Sequence, residues 1–291
     1  MELPLVVGVD GSGSADRALD WALDEAALHG LPLRLVYASR WERYEGVLPT
    51  ESPSRPSEQL LADNIVGSAA QRAHERNPDL HVSVQVLAED AVTALLREGR
   101  YASALILGSK GRGEFADLLL GSVSLAVAAR ATCPVIVVRG DRAALARSHE
   151  RVLLGVGDPA KGTQSVVFAF REAEARGCVL DAVRAWRCPA HETADHPLLA
   201  GGPERYHEER ASALLDKALD GATGDHPTVY VRRATVEGPP HKALVWRSAA
   251  ADLLVVGAQR RHGHLGLQLG RVGHAALHHA ECPVAVVPQP G

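Results

Sequence analysis

The sequence predicts an α/β protein made of two tandem domains, and two observations support this. Short apolar segments alternate with segments of helical periodicity, a pattern typical of parallel strands joined by helical crossovers. The order of segments then recurs, so that Gly108 and Gly121 have counterparts 149 residues later in Gly257 and Gly270. A chain of 291 residues has room for two such domains, and we interpret it as an internal duplication.

The elements of the first half follow from local patterns. Strands are expected at short unbroken apolar runs, because parallel strands are usually covered on both faces of their sheet. Apolar residues recur at helical spacing from Ala15 to Ala26, and Gly30 with Pro32 ends that helix. The predicted strands cover 5–9, 33–37, 82–87, 104–107 and 135–138; further helices lie near 60–75, around 92–96 and at 122–130, with a proline- and serine-rich loop around 48–57.

The second half repeats this order, with strands expected near 152–156, 179–183, 229–233, 253–256 and 284–287. We place the two domains at 1–142 and 150–291. The charged, alanine-containing segment near 140–150 is expected to be partly helical. Cys133 and Cys282 occupy equivalent places before a proline, and no CxxC pair occurs, so both are interpreted as small buried packing residues.

Composition excludes several classes of function. A formal net charge of −4 and a pI near 6.4 argue against a general nucleic-acid surface. No apolar run reaches the roughly 20 residues needed to cross a bilayer. The N-terminus lacks a basic region followed by a long apolar one. We therefore expect a cytoplasmic protein without a membrane span.

The first copy of the repeated motif carries the chemistry. Gly108–Gly113 follows a predicted strand, and Gly121–Ser124 begins a predicted helix. Glycines allow the backbone to approach a ligand closely, and the free N–H groups of a helix start attract an anion. Asp10 follows the first strand, at the same edge of a parallel sheet. Further donors and positive charges come from Ser122, Ser124, Lys110 and Arg112.

This combination resembles the universal stress protein family in its tandem form. The nucleotide-binding pattern of that family is glycine, two residues, glycine, nine residues, glycine, then serine or threonine. Gly108, Gly111, Gly121 and Ser122 match it fully. Asp10, within Gly8-Val-Asp-Gly-Ser12, matches the acidic residue that the family has after its first strand. The resemblance covers nearly the whole chain.

The resemblance implies two Rossmann-like domains, each a five-stranded parallel sheet of order 3-2-1-4-5 with helices on both faces. It also implies binding of ATP, with Asp10 toward the adenosine, the backbone near 36–38 along the base, and Mg²⁺ held mainly by the phosphates. The implied cofactor-binding residues are Gly8, Asp10, Gly11, Ser12, Val36, Ala38, Gly108, Ser109, Lys110, Gly111, Arg112, Gly113, Gly121, Ser122, Val123 and Ser124.

The second copy of the motif is altered. It keeps the acidic residue and the outer glycines, but arginine replaces both the middle glycine and the helix-start serine. Arginine cannot simply take the place of a glycine if the local φ is positive, because residues other than glycine rarely adopt that conformation, which favours weakened or lost ATP binding. Two arginines beside a helix start can equally bind another anion through their side chains, and both interpretations stay open. The second candidate site comprises Asp158, Gly257, Arg260, Gly263, Gly270 and Arg271.

Histidines also cluster in the second half. His274 and His278 are four residues apart, so one helix face could present both imidazoles to a metal. No cysteine or carboxylate nearby completes an evident site, and we expect no metal there. Trp246, on the helix before the fourth strand of this half, is expected to lie in the core.

We expect an ATP-binding stress or signalling protein in which nucleotide occupancy of the first domain biases conformation or assembly. It would act as a homodimer or through an unidentified protein partner. The alternative is a slow ATPase or ATP-dependent transferase. Glu114 and Asp117 are the only carboxylates near the motif that could serve such chemistry. We interpret them as solvated loop charges and assign no catalytic residue; a scaffold without nucleotide is a third interpretation.

Overall fold

The protein is described by a computed structural model that covers residues 2–39, 57–110, 120–188, 202–259 and 269–290. Its internal contacts divide the chain into two compact units, Met1–Val138 and Arg139–Gly291. Several residues singled out in the sequence lie outside the described ranges: Gly111, Arg112, Gly113, Glu114, Asp117, Arg260 and Gly263.

The first unit alternates strands and helices. Its strands are β1 (Leu5–Gly8), β2 (Leu33–Ala38), β3 (Val82–Leu87), β4 (Ala104–Gly108) and β5 (Val135–Val138). Its helices are α1 (Gly13–His29), α2 (Ser57–Arg76), α3 (Ala91–Glu98) and α4 (Ser122–Arg130), with a 3-10 turn at Gly99–Tyr101. All strand pairs are parallel, in the order β3-β2-β1-β4-β5. The predicted strand order is confirmed.

Two layers of helices cover this sheet. Helices α1 and α2 pack together, as do α3 and α4, and each pair contacts strands. The residues of β4 are buried along its whole length. The chain runs from β1 outward to β2 and β3, then returns to place β4 on the other side of β1. The carboxyl ends of β1 and β4 therefore border the crevice in which open parallel sheets bind ligands.

The second unit repeats this architecture. Its strands are β6 (Arg151–Gly155), β7 (Val179–Trp186), β8 (Val231–Glu237), β9 (Leu253–Gln259) and β10 (Val284–Gln289). Its helices are α5 (Arg142–Leu145), α6 (Gln164–Arg176), α7 (Gly202–Asp225), α8 (Pro240–Ser248) and α9 (Arg271–His279), with a 3-10 turn at Pro159–Lys161. Its parallel strand order is β8-β7-β6-β9-β10. Short helix α5 confirms the partly helical segment.

Several strands of the second unit extend past their apolar runs. In β9 and β10 the backbone ladder continues through Ala258 with Pro288 and Gln259 with Gln289. The strand predicted at 229–233 instead spans Val231–Glu237 and pairs with β7. It lies at the end of the strand order, and its Arg232, Arg233 and Glu237 are exposed. Hydrophobicity alone therefore placed these strand ends wrongly.

The prediction that Trp246 lies in the core is wrong, since its exposed fraction is 79%. Helix α8 instead buries Leu244 and Ser248, which are four residues apart on one face. A residue two positions beyond Leu244 is rotated by about 200° around the helix axis, and therefore points away from the sheet.

The expected burial of the two cysteines at equivalent positions of the repeat is confirmed. Cys133 is 8% exposed and Cys282 is fully buried. Burial raises the pKa of the Cys133 thiol to about 11, and also raises the pKa of Cys282. Among the helices in the described ranges, none has the length and apolar character required to span a bilayer.

Candidate functional site

The turn after β1 brings three of the predicted residues into a fixed arrangement. Asp10 accepts a hydrogen bond from the Ser12 N–H through Oδ1 at 2.9 Å. Between them Gly11 has a φ of 75°, the left-handed region that glycine enters without steric cost. Ser12 is the N-cap of α1, and its Oγ accepts from the Ala15 N–H at 3.2 Å. Ser12, and not Asp10, therefore caps the helix, while the turn holds the Asp10 carboxylate near the end of β1.

The carboxyl end of β2 lies directly beside this turn. The Val9 N–H donates to the Val36 carbonyl at 2.9 Å, so the chain stays attached to β2 as it leaves β1. Val36 is 2% exposed, whereas Ala38, the last residue of β2, is partly exposed. The predicted base-lining backbone at 36–38 is therefore adjacent to the turn that carries Asp10.

The first turn of α1 is seated on the end of β4. A Cβ added to Gly108 would lie 2.7 Å from Ser14 Oγ and 2.8 Å from the Ser14 carbonyl carbon and oxygen. The Ser14 hydroxyl also accepts from the Lys110 N–H at 3.1 Å. Only a glycine at 108 permits this approach, and the contact fixes the start of the motif loop.

The two ends of the motif loop meet. The Gly121 N–H donates to the Ser109 carbonyl at 2.8 Å, which places the start of α4 beside the end of β4. Gly121 is the N-cap of α4, and no side chain of the described residues caps the helix. The first N–H groups of α4 have no partner within the helix, since the residues that would accept from them precede it. This open helix start, next to Gly108 and Ser109, is suited to an anion.

Ser122 and Ser124 have different roles. Ser122 is exposed at the helix start, with Val123 partly exposed beside it. Ser124 is 6% exposed, and its hydroxyl donates to the Gly108 carbonyl at 2.7 Å. The expectation that Ser124 offers a free donor to a ligand is therefore not met, because its proton ties α4 to β4. Ser14 was missed in the sequence, although it sits at the helix start that follows Asp10.

The second unit places its counterparts differently. Asp158 is exposed, and its Oδ1 accepts from the Ala160 N–H at 3.1 Å as the N-cap of the 3-10 turn. Gly270 is the N-cap of α9 and Arg271 is its exposed first residue. The position equivalent to Ser124 is Gly273, so the hydroxyl bridge to the neighbouring strand is missing. A Cβ on Gly257 would meet Gln289 and Ser165 side-chain atoms at 3.2 Å.

A cavity of about 710 Å³ opens at this edge of the second unit. It is bordered by the ends of β6, β7 and β9 and by the start of α9. Four of the predicted second-site residues line it, together with four polar or charged residues that the sequence analysis did not identify. These residues are Asp158, Gly257, Gly270 and Arg271, together with Ser165, Arg184, Gln259 and Gln289.

Two of these additional residues, Arg184 and Gln289, carry sequence signals that could have identified them as site residues. The Val156 N–H donates to Val183 O, as the Val9 N–H does to Val36 O, so Arg184 corresponds to Tyr37. A polar residue at the carboxyl end of an apolar strand is the sequence signal that indicates a site residue at this edge. Arg184 is a charged residue where the first unit has the aromatic Tyr37. Gln289 is a polar residue that follows an apolar run.

His274 and His278 stack with their ring centroids 4.4 Å apart, which confirms that they share a helix face. Burial is the main cause that lowers the pKa of His278, and the nearby His274, His279 and Arg139 add to it. Close imidazoles of this kind disfavour protonation of each other.

The two units define the class of protein: α/β domains with an open parallel sheet and a ligand crevice at the strand ends. The family model described as "Universal stress protein family" matches residues 3–139 and 149–288. A universal stress protein of Mycobacterium tuberculosis (strain ATCC 25618 / H37Rv) is 33% identical over 294 residues, covering 98% of this chain and 97% of that protein. The chain belongs to the universal stress protein family and carries the family domain twice in tandem.

Solved structures agree on the fold. A universal stress protein from Archaeoglobus fulgidus DSM 4304 matches with a TM-score of 0.61 at 19% identity, covering 98% of each chain. A universal stress protein in complex with cAMP covers 47% of this chain at 27% identity, with a TM-score of 0.37. That score is too low to carry its ligand over to this chain.

Proposed function

We propose that the first unit binds ATP and that the protein acts as a cytoplasmic stress or signalling component whose conformation or assembly depends on nucleotide occupancy. One observation carries this proposal. The Gly121 N–H closes the motif loop onto the Ser109 carbonyl, and thereby sets an open helix start beside the glycine end of β4 and the crevice that Asp10 borders.

The residues present fit a nucleotide. The first N–H groups of α4 and the exposed Ser122 hydroxyl would bind phosphate oxygens, because helix starts and hydroxyl donors favour anions. The Lys110 ammonium would add positive charge. Asp10 is an acceptor suited to the ribose hydroxyls, and the neighbouring backbone at 36–38 would line the base. Mg²⁺ would be held mainly by the phosphates and would screen their charge.

Buried contacts would keep this arrangement in place before ATP arrives. The Ser14 hydroxyl holds the Lys110 N–H, and the Ser124 hydroxyl holds the Gly108 carbonyl. Each bond joins a helix to the end of β4, so the donors facing the ligand are already positioned. Such preorganisation lowers the ordering cost of binding.

The duplication supplies a matched test of the nucleotide site. We would titrate the full chain with ATP by calorimetry and compare Asp10→Ala with Asp158→Ala, its counterpart in the second unit. Asp10→Ala should weaken ATP binding by about tenfold, the usual size of one hydrogen bond to a charged group. Asp158→Ala should leave it unchanged. Equal effects of the two variants, or none, would reject the proposed site.

Ser122→Arg installs the residue that the second unit carries at this position, whereas Ser122→Ala only removes the hydroxyl. We expect the arginine variant to weaken ATP binding more than the alanine variant, because a long side chain at the helix start obstructs the approach to the N–H groups. Mass spectrometry of nucleotide released on denaturation provides an independent readout, and measured ATP turnover distinguishes a slow ATPase from a binding protein.

Assembly is tested separately. Sedimentation velocity of the full chain should detect a homodimer, and the addition of ATP should change either the fraction of homodimer or its shape. Asp10→Ala should lose this dependence on ATP. Identical sedimentation in both conditions would leave no basis for nucleotide-controlled conformation or assembly.

A further inference from the structure

The cavity of the second unit differs from the first-unit site in the charge along its walls. Arg184 and Arg271 both line it, and Asp158 is the one carboxylate among the described lining residues. A volume of about 710 Å³ is typical of pockets for small molecules. This cavity lies in the second unit and is therefore separate from the proposed ATP site in the first.

Arg184 occupies the edge at which the first unit would hold adenosine. Its counterpart Tyr37 is 7% exposed and packed away. The Arg184 guanidinium instead reaches over the turn after β6, where Nη1 donates to the carbonyls of Val156 and Gly157. Those carbonyls correspond to the chain just before Asp10. A cation across this turn occupies space and backbone acceptors on the adenosine side.

The charge of Arg184 is only partly compensated. Burial is the main cause that lowers the pKa of its guanidinium; the Asp158 carboxylate raises this pKa, and the charge of Arg210 lowers it further. The hydrogen bonds of its Nη1 go to two backbone carbonyls, which carry no net charge. An anion that binds beside this half-buried cation would stabilise it, because a charge that is partly removed from water loses hydration and needs an opposite charge to compensate.

Arg271 supplies a second cation at the opposite border of the cavity. It is the exposed first residue of α9. At Gly273, the counterpart of Ser124, a Cβ would lie 3.3 Å from the Leu269 side chain, so no hydroxyl occupies this position. An arginine offers a planar fork of donors that matches phosphate or carboxylate oxygens. The arginine side chains would therefore hold the anion together with the start of α9, which has a glycine N-cap and, among the described residues, no side-chain cap, as α4 does in the first unit.

The Gln289 side chain occupies the space at the start of α6. It is 6% exposed, and its Oε1 accepts from the Gln164 N–H at the beginning of α6 at 3.2 Å. The same oxygen would lie 2.7 Å from a Cβ on Gly162. The amide thus occupies the place that an anion could take at α6, and directs a ligand toward the two arginines.

We infer that the cavity of the second unit binds a small phosphate-bearing molecule through Arg184 and Arg271, and does not bind ATP. The cavity volume of about 710 Å³ accommodates a small ligand without a nucleoside, while the Arg184 guanidinium lies over the turn on the adenosine side. The second domain would thus sense a different anion from the first.

The test uses the full chain and inorganic phosphate as the probe, titrated by calorimetry in the presence of saturating ATP. Arg271→Ala and Arg184→Met should each weaken phosphate binding by about tenfold, as expected for a lost hydrogen bond between charged groups. Arg171→Ala, an equal charge change at an exposed position of α6, should have no effect. The proposal predicts one bound ATP per chain in all of these proteins.

Three results would overturn the inference. The first is no phosphate binding at millimolar concentrations, and the second is phosphate binding that neither cavity arginine affects. The third is a second bound ATP that Arg184→Met or Arg271→Ala weakens. Asp10→Ala separates this inference from the ATP proposal, since it should reduce ATP affinity while the effects of both arginine variants on phosphate binding persist.

Discussion

Replacing Gly108 by alanine tests the contact on which the first-unit site is built. The new Cβ would lie 2.7–2.8 Å from Ser14, and two of the three nearest atoms belong to the backbone of α1. Backbone in a buried first turn cannot move aside as a side chain can. Overpacking of this kind costs about 1–3 kcal/mol, so we expect the free energy of unfolding of the first unit to fall by that amount.

Gly257→Ala is the matched control at the equivalent position. Its Cβ would meet side-chain atoms of Gln289 and Ser165 at 3.2 Å, and these can shift by a few tenths of an ångström. Neither glycine has a positive φ. Both alanine variants therefore lower the conformational entropy of the unfolded chain by a similar amount, and this stabilising contribution cancels when the two are compared. We expect Gly257→Ala to cost less than about 1 kcal/mol.

The assay must report on each unit separately. Urea unfolding followed by pulsed hydrogen exchange and mass spectrometry does so, because peptides from the two units are distinct. The first-unit peptides should unfold at lower urea in Gly108→Ala, with the second-unit peptides unchanged. If the two alanine variants shift their own units equally, the argument from the Ser14 contact is refuted.

Two further predictions concern buried polar groups. Asp252 is 3% exposed and accepts from the His149 and Arg151 N–H groups, so Asp252→Ala should lower the unfolding free energy of the second unit by about 1–3 kcal/mol for each donor left unsatisfied. The exposed Asp220→Ala is the control for urea unfolding, and a similar loss in both variants would contradict this. Cys133, whose thiol pKa is raised from 9.0 to about 11 by burial, should carry about a hundredfold less thiolate at pH 8 than in the unfolded chain. Its alkylation by iodoacetamide should therefore be slow in the native protein and rapid in denaturant, and rapid native labelling would contradict this.

The fold could be predicted because its signals are repeated and redundant. Buried strands such as β4 are continuous apolar runs, and the alternation with helices restricts the topology to parallel crossovers. Errors arose where burial did not follow hydrophobicity. Trp246 is large and apolar yet exposed, because helix phase placed Leu244 and Ser248 toward the sheet. The ends of β9 and β10 were missed because backbone pairing continues through polar residues.

The candidate site could be predicted only in part. Spacing located Gly108, Gly121 and Asp10, since glycines at strand ends and a serine at a helix start have a local cause. Whether a hydroxyl faces a ligand or the protein depends on packing between distant segments. Ser124 illustrates this, because its proton goes to the Gly108 carbonyl, sixteen residues away.

The sequence by itself determined the duplication, the strand order expected of the family and the asymmetry between a complete and an altered motif. These are properties of local pattern and of order along the chain. The tertiary structure decided which groups meet: Ser14 with Gly108, Arg184 with the turn after β6, and Gln289 with the start of α6. Each of these contacts joins segments far apart in sequence, and their distances follow from how helices and strands pack, which no local pattern encodes.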